Sequence, residues 1–255
     1  MKIEEFFEKN KRAAIAFSGG VDSSYLLYAA AKAGCTVTAY YVSSQFQPEF
    51  EFKDAVSVVE CIEKLIPGDK RIELKVIKAD VLADQVVCSN PPDRCYYCKK
   101  VIMGCIRRAA EEDGYRIICD GTNASDDVAD RPGWKALGEF GVRSPLRECG
   151  LTKTEIRELS REAGLPVWNK PAYACLATRI MTGEVITGDK LERTENAESL
   201  LYGMGFRDFR VRMRGDKALV QVTAEQAEMV RDRENEIKKA LAEYYSEVII
   251  DSKLR

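Results

Sequence analysis

Residues 12–34 read as one folding unit: an apolar strand "RAAIAF" (Arg12–Phe17), the turn "SGGVDSS" (Ser18–Ser24) and an apolar helix that runs to Gly34. The alternation then repeats. "TVTAYYV" (Thr36–Val42) predicts a second strand, Glu49–Leu65 a charged helix, and Ile72–Asp80 a third strand. The helix "KKVIMGCIRRAAEEDG" leads to a fourth strand, "YRIICDGTN", and "VRSPL" (Val142–Leu146) reads as a short fifth. Strands that alternate with helices predict an α/β fold, a Rossmann-like parallel sheet covered on both faces, in which ligands sit at the carboxyl ends of the strands.

A Thr cap followed three residues later by Glu155 marks the helix Thr152–Pro166, which stops at Gly164. Val167–Gly183 has no clear period and reads as a loop that carries function or joins domains. Beyond it, a helix over Thr187–Gly203, strands "FRVRMR" and "ALVQVT", a helix from Ala224 and a last strand "SEVIIDS" predict a smaller C-terminal α/β domain. The expected division is a first domain over 1–166, a connecting loop over 167–186 and a second domain over 187–255.

Charge and cysteine usage narrow the chemistry. Thirty-nine basic against 41 acidic residues leave a net charge of −2, so no global field favours a nucleic-acid backbone, and a nucleic-acid partner is not expected. The apolar runs fall far short of the roughly 20 residues that span a bilayer. The start "MKIEEFFEKNKR" lacks the plan of a signal peptide, so no membrane association and a cytoplasmic location are expected. There, nine cysteines are better explained by metal binding, catalysis or burial than by a disulfide framework. The chain has no histidine, which excludes Ser-His and Cys-His nucleophile pairs and an imidazole base. Chemistry must run on carboxylates, thiols, lysines, arginines, tyrosines, backbone dipoles or a bound ion.

In "SGGVDSS" the glycines allow close backbone approach and positive φ, the small hydroxyls donate hydrogen bonds, and the helix N-terminus adds partial positive charge. The stretch is an anion cradle. It lacks both the Gly-Lys-Ser/Thr end of a Walker loop and the G-x-G-x-x-G of dinucleotide binders, which disfavours γ-phosphate and hydride transfer. It resembles the pyrophosphate loop of the ATP pyrophosphatases, which adenylate an oxygen of their substrate and release pyrophosphate. That resemblance implies that Ser18, Gly19, Gly20, Asp22, Ser23 and Ser24 hold the pyrophosphate of ATP, with Asp22 near Mg2+.

The acidic loop Asp120–Gly133 holds Asp126, Asp127 and Asp130 for a cation, and Arg131 for a phosphate or adenylate. In "RVRMRG", Arg210, Arg212 and Arg214 alternate along a strand and project from one face, a clamp for a nucleotide phosphate. Three segments, "DGTNASDDVADRPGWKAL", "VRSPL" and "KPAYACLATRI", resemble the LarE family, and the resemblance runs over nearly the whole chain. Members use ATP to activate the carboxylates of pyridinium-3,5-biscarboxylic acid mononucleotide and convert them to thiocarboxylates for the nickel-pincer nucleotide cofactor. For this chain the resemblance implies ATP or Mg2+ contact by Asp120, Asn123, Asp127 and Arg131. It implies substrate-phosphate contact by Arg210 and Arg212, with Glu198 a nearby acid. Gln221 departs from the acid expected on the facing strand. The domain over 1–166 becomes the ATP pyrophosphatase domain, and 187–255 a substrate-phosphate-binding and oligomerisation domain. A homo-oligomer is expected.

The pair Cys95 and Cys98 in "DRCYYCKK" is compatible, by itself, with a zinc clip, a redox dithiol, an iron–sulfur site or two buried thiols. A four-ligand zinc site would call on Cys88 or Cys105. Some LarE members lose the sulfur of one cysteine, which becomes dehydroalanine; the matching residue here is Cys175. Arg179 and Lys170 nearby are cations of the kind that lower a thiol pKa from about 8.5. The C-x-x-C resembles instead a variant group in which Cys95, Cys98 and Cys175 hold a [4Fe-4S] cluster, whose open iron takes sulfide or another sulfur donor. Cys35, Cys61, Cys119 and Cys149 read as packing residues. A tRNA thiolase, an amide-forming ligase and a nucleotide sensor are the competing functions.

Overall fold

A computed structural model describes residues 1–66, 68, 71–127 and 132–251. The chain divides into two compact units: 1–81 with 93–172, and 82–92 with 173–255.

The first unit is built on β1 (Arg12–Ala16), β2 (Thr36–Ser43), β3 (Glu73–Lys78) and β4 (Ile118–Cys119), all parallel, in the order β3-β2-β1-β4. Ala14 sits opposite Thr38 on one side and Ile118 on the other, so β1 is central. Strand alternation supplies a core on each face. Ala13, Ile15, Val37 and Ala39 pack with α1 (Ile3–Lys9), α2 (Val21–Lys32), α3 (Glu49–Leu65) and α8 (Lys153–Glu162), through Phe6, Phe7, Leu26, Ile62 and Ile156. Ala14, Tyr40, Val42 and Ile118 pack on the other face with α5 (Arg94–Glu112) and α6 (Pro132–Glu139), through Met103, Ile106, Ala110 and Leu137.

One expectation is corrected here. Val142–Leu146 is not a strand: Arg143 alone bridges to Cys119, because Pro145 lacks a ladder N–H and opens the short helix α7 (Pro145–Glu148) at its first turn. The helix α5 begins at Arg94, just after the turn "NPPD", which puts Cys95 and Cys98 near its start.

The order β3-β2-β1-β4 reverses direction at β1. After β3 the chain returns to the opposite side of β1, so β1 and β4 adjoin at a switch point, the place where ligands bind at the strand ends of such sheets.

In the second unit, α9 (Gly188–Gly203) and α11 (Glu234–Leu241) cover a three-stranded sheet. β5 (Arg210–Arg214) pairs antiparallel with β6 (Lys217–Gln221), which pairs parallel with β7 (Glu247–Ile250). Val211, Met213, Ala218 and Val220 are buried. The single helix expected from Ala224 is a one-turn 3-10 segment, then α10 (Ala227–Asp232), then α11, with a break at Arg233. Segment 82–92 holds the short helix α4 (Gln85–Ser89). It is stitched in by Ile186 N–H to Cys88 O, Gly183 N–H to Asn90 O and Asn90 Nδ2 to Met181 O, each 2.8 Å.

Candidate functional site

The turn after β1 has the backbone its glycines permit. Gly19 has φ +72°, and a Cβ there would meet the backbone of Ala55 on α3 at 3.0 Å. Both space and conformation therefore require glycine. Gly20 caps α2. Ser23 pins the turn: its Oγ accepts from Ser18 N–H at 3.3 Å and donates to Gly20 O at 3.2 Å. Ser18 is exposed at the mouth, whereas Ser24 is fully buried and its Oγ has no partner among the described residues.

The turn after β4 closes over it. Gly121 approaches so near that a Cβ would lie 2.9 Å from Ser23 N and 3.2 Å from Asp22 Cβ. Asp120 is buried and accepts from Thr122 Oγ1 at 2.5 Å and Ser144 Oγ at 2.6 Å. Asn123 donates through Nδ2 to Asp22 Oδ1 at 3.4 Å, accepts from Ser125 N–H at Oδ1, and donates its own N–H to Asp126. Arg147 carries the loop from outside, donating to Asp126 O at 2.9 Å. Asp22 has a further partner that the sequence reading missed: Lys153 Nζ lies 2.6 Å from Oδ2.

These groups line a cleft of about 540 Å³ in the first unit, with Ser18, Gly20, Asp22, Asp120, Asn123 and Lys153 among its walls. Asp126 and Lys99 line it too; Asp127 is exposed and does not. Arg131, and Asp130 beside it, lie outside the described residues. The arrangement offers backbone N–H groups at a helix start, small hydroxyls, and charges of both signs, the set that receives a nucleotide phosphate chain and its cation.

Cys95 is exposed and Cys98 half-buried, one helical turn apart at the start of α5. Arg94 Nη2 reaches the Cys95 sulfur at 4.0 Å. Of the expected packing cysteines, Cys35 and Cys119 lie in the core and Cys149 packs against it. Burial pushes the Cys35 thiol up to about 11, and raises Cys119 and Cys149 as well. Cys61 is half-buried, Cys105 on α5 flanks the core, and Cys88 donates to Leu82 O at 3.0 Å. Lys170 is ion-paired with Asp54 at 2.7 Å.

In the second unit, half-buried Cys175 caps the 3-10 turn Leu176–Arg179, and its carbonyl accepts from Thr178 N–H at 2.9 Å and Thr178 Oγ1 at 2.8 Å. Arg179 is 1% exposed and donates to Ala174 O, Thr178 Oγ1 and both oxygens of Glu198. The Glu198 charge holds that guanidinium's pKa above its ordinary value despite burial, and a Cys175 thiolate acts in the same direction. Glu198 also accepts from Tyr173 OH and Val211 N–H, so both its oxygens are engaged within the fold. Arg210, Arg212 and Arg214 alternate with buried Val211 and Met213 along β5 and share one face. Arg212 donates to Gln221 Oε1 at 2.6 Å and Thr178 O at 3.0 Å, and Gln221 donates onward to Asp251.

Among the described residues, no group of three or more Cys, Asp or Glu side chains stands ready to hold a metal ion. The donors are of the right kind for soft and hard ions respectively: thiols at 95, 98 and 175, carboxylates in the cleft.

Residues 9–131 match the family described as thiamine biosynthesis protein (ThiI). Over 214 residues the chain is 33% identical to the pyridinium-3,5-bisthiocarboxylic acid mononucleotide synthase of Lactiplantibacillus plantarum, covering 83% of this chain and 75% of that one. It is 36% identical to an uncharacterized protein of Synechocystis over 88% of this chain and 81% of that protein. It is 29% identical to an uncharacterized protein of Methanocaldococcus jannaschii over 91% and 85%.

Proposed function

The chain belongs to the LarE family of ATP pyrophosphatases, enzymes that use ATP to transfer sulfur, and on that premise we propose how its residues divide the work. The substrate is pyridinium-3,5-biscarboxylic acid mononucleotide. Its carboxylates are adenylated, AMP then leaves, and sulfur takes the place of oxygen to give thiocarboxylates. Adenylation comes first because a carboxylate oxygen is not a leaving group, whereas AMP is.

The observation that carries this reading is the meeting of the two turns around Asp22, since it joins a phosphate cradle to a polar loop in one cleft. Ser18, Gly19, Gly20, Ser23 and Ser24 bind the pyrophosphate portion of ATP, and Asp120, Asn123 and Arg131 serve the rest of the nucleotide; Asp127, outside the cleft walls, is left without that role. Asp22 and its neighbours fit Mg2+, because the carboxylate already accepts a cation, the Lys153 ammonium, at 2.6 Å. Bound there, Mg2+ offsets the charge that develops on the departing pyrophosphate. Arg210, Arg212 and Arg214 receive the phosphate of the mononucleotide. The segment 1–166 acts as the ATP pyrophosphatase domain, 167–186 as the thiol-bearing loop, and 187–255 as the substrate-phosphate and oligomerisation domain.

Cys95, Cys98 and Cys175 are assigned as the ligands of a [4Fe-4S] cluster. Two of these thiols share one helical turn and reach solvent, and the third sits on a turn fixed by Thr178 and Arg179. Held by these three thiols, such a cluster would supply a soft Lewis-acid site for sulfide. Here the residues hold and orient; Thr178 donates to the Cys175 carbonyl, and Arg179, bonded to Ala174 O and Thr178 Oγ1, keeps the turn in place.

Anaerobic purification with iron and sulfide quantitation tests the assignment, together with the Cys95→Ala variant. The expected result is iron in the wild type, its loss in the variant, ATP binding in both, and repeated turnover only in the wild type. An iron-free wild type that loses one sulfur at Cys175 per reaction would instead establish a thiol used once.

A further inference from the structure

One guanidinium of β5 reaches the turn that carries Cys175. Arg212 stands between buried Val211 and Met213, half-buried itself, on the face it shares with Arg210 and Arg214. Its Nη1 donates to the main-chain oxygen of Thr178 at 3.0 Å and its Nε to Gln221 Oε1 at 2.6 Å. Gln221 is held in turn, since its Nε2 donates to Asp251 Oδ2 at 2.7 Å. Thr178 is fastened to the thiol residue, because its N–H and its Oγ1 both donate to the Cys175 carbonyl. A second tie runs beside the first. Glu198 accepts from Val211 N–H, next to Arg212, and from Tyr173 OH and Arg179 Nε, which flank Cys175 on either side.

We infer that Arg212 couples the phosphate of the substrate to the thiol turn, so that binding at this guanidinium tightens Leu176–Arg179 and with it the backbone of Cys175. The inference rests on the phosphate role given to Arg212 in the proposed function and goes beyond it, since the thiol segment then responds to the presence of substrate. A guanidinium is planar, and its donors cannot be aimed independently of one another. A phosphate that fixes the plane of Arg212 therefore also fixes the N–H that meets Thr178 O, and the restraint passes through Thr178 to the Cys175 carbonyl. Gln221 holds the same plane from the neighbouring strand β6. Lysine offers a point charge without that plane, so it can attract a phosphate but cannot relay its position. In this role Arg212 is a positioning residue for Cys175 as well as a binding residue for substrate.

The test is hydrogen–deuterium exchange of the full chain, purified anaerobically, with the pyridinium mononucleotide and with its dephosphorylated nucleoside. ATP is left out so that no sulfur is transferred. Thr178 N–H donates to Cys175 O and Ile180 N–H to Ala177 O, so both amides report on the turn. In wild type the mononucleotide is expected to slow their exchange about fivefold, and the nucleoside to leave it unchanged. Arg212→Lys is expected to bind the mononucleotide about tenfold more weakly and, at saturation, to show no slowing. Thermal melting checks that the variant is folded. Wild type that binds the mononucleotide more tightly than the nucleoside, yet exchanges these amides at an unchanged rate, would overturn the coupling alone. Slowing that the nucleoside reproduces, or that survives in saturated Arg212→Lys, would do the same. Equal affinity of wild type for mononucleotide and nucleoside would overturn the phosphate assignment of the proposed function with it.

Discussion

Arg179 and Glu198 form a closed ion pair inside the second unit, with Nε 2.7 Å from Oε1 and Nη2 3.0 Å from Oε2. Because the pair is buried, its value lies in being complete: removing one partner strands a charge at a cost of about 3–5 kcal/mol. Arg179→Ala is therefore expected to lower the denaturant midpoint steeply, read by urea unfolding. Glu198→Gln should act through stability and through the Cys175 turn that Arg179 supports. A Glu198→Gln protein with wild-type stability and selectively lost substrate binding would contradict that account.

Gly121→Ala should weaken ATP binding more than it weakens the fold. The added methyl would press on Ser23 N at 2.9 Å and part the two turns, while the hydrophobic cores on either face of the sheet are untouched. Calorimetric titration with ATP beside a thermal melt separates the two effects. Gly19→Ala differs in kind, since it combines a positive φ of +72° with a 3.0 Å approach to the Ala55 backbone. Strain of about 1–3 kcal/mol is expected there, visible as a lower melting temperature.

Thiol labelling should follow burial. Only the thiolate reacts, and burial holds Cys35 near 11 and Cys119 higher than an ordinary thiol. Alkylation of the folded, iron-free protein near pH 8, read by mass spectrometry, should mark exposed Cys95 early and leave Cys35 and Cys119 unmodified until denaturant is added.

Acid should unfold the protein through specific carboxylates. Lys75 and Tyr40 hydrogen-bond Asp113 and lower its pKa; Arg143 does the same for Glu148. A depressed folded value means that the stabilisation is complete above the unfolded carboxylate range of about 4 and is lost as pH falls through the folded values. Urea midpoints should be level from pH 7 to about 5 and decline below about 4. Asp113→Asn should flatten that decline.

What the sequence disclosed was whatever repeats locally. The strand, turn and helix around Ser18–Ser24 announce themselves through periodicity and two glycines, and the alternating arginines of β5 through a period of two. Pro145 was present in "VRSPL" and outweighed the apolar pattern that suggested a strand. Arg179 was read as a cation available to the Cys175 thiol, but its main partner is Glu198, 19 residues away. Lys153 is the clearer case. Its place beside Thr152 reveals helix capping, while its partner Asp22 lies 131 residues upstream, and no local spacing encodes such a meeting.

That separation has a consequence during synthesis. Asp22 waits for Asn123, 101 residues later, and for Lys153 after that. A chain emerging from the ribosome carries the phosphate turn long before β4 exists to dock beside β1. A half-made protein thus holds the phosphate turn without the walls of its cleft, whose residues from 120 to 172 are made later.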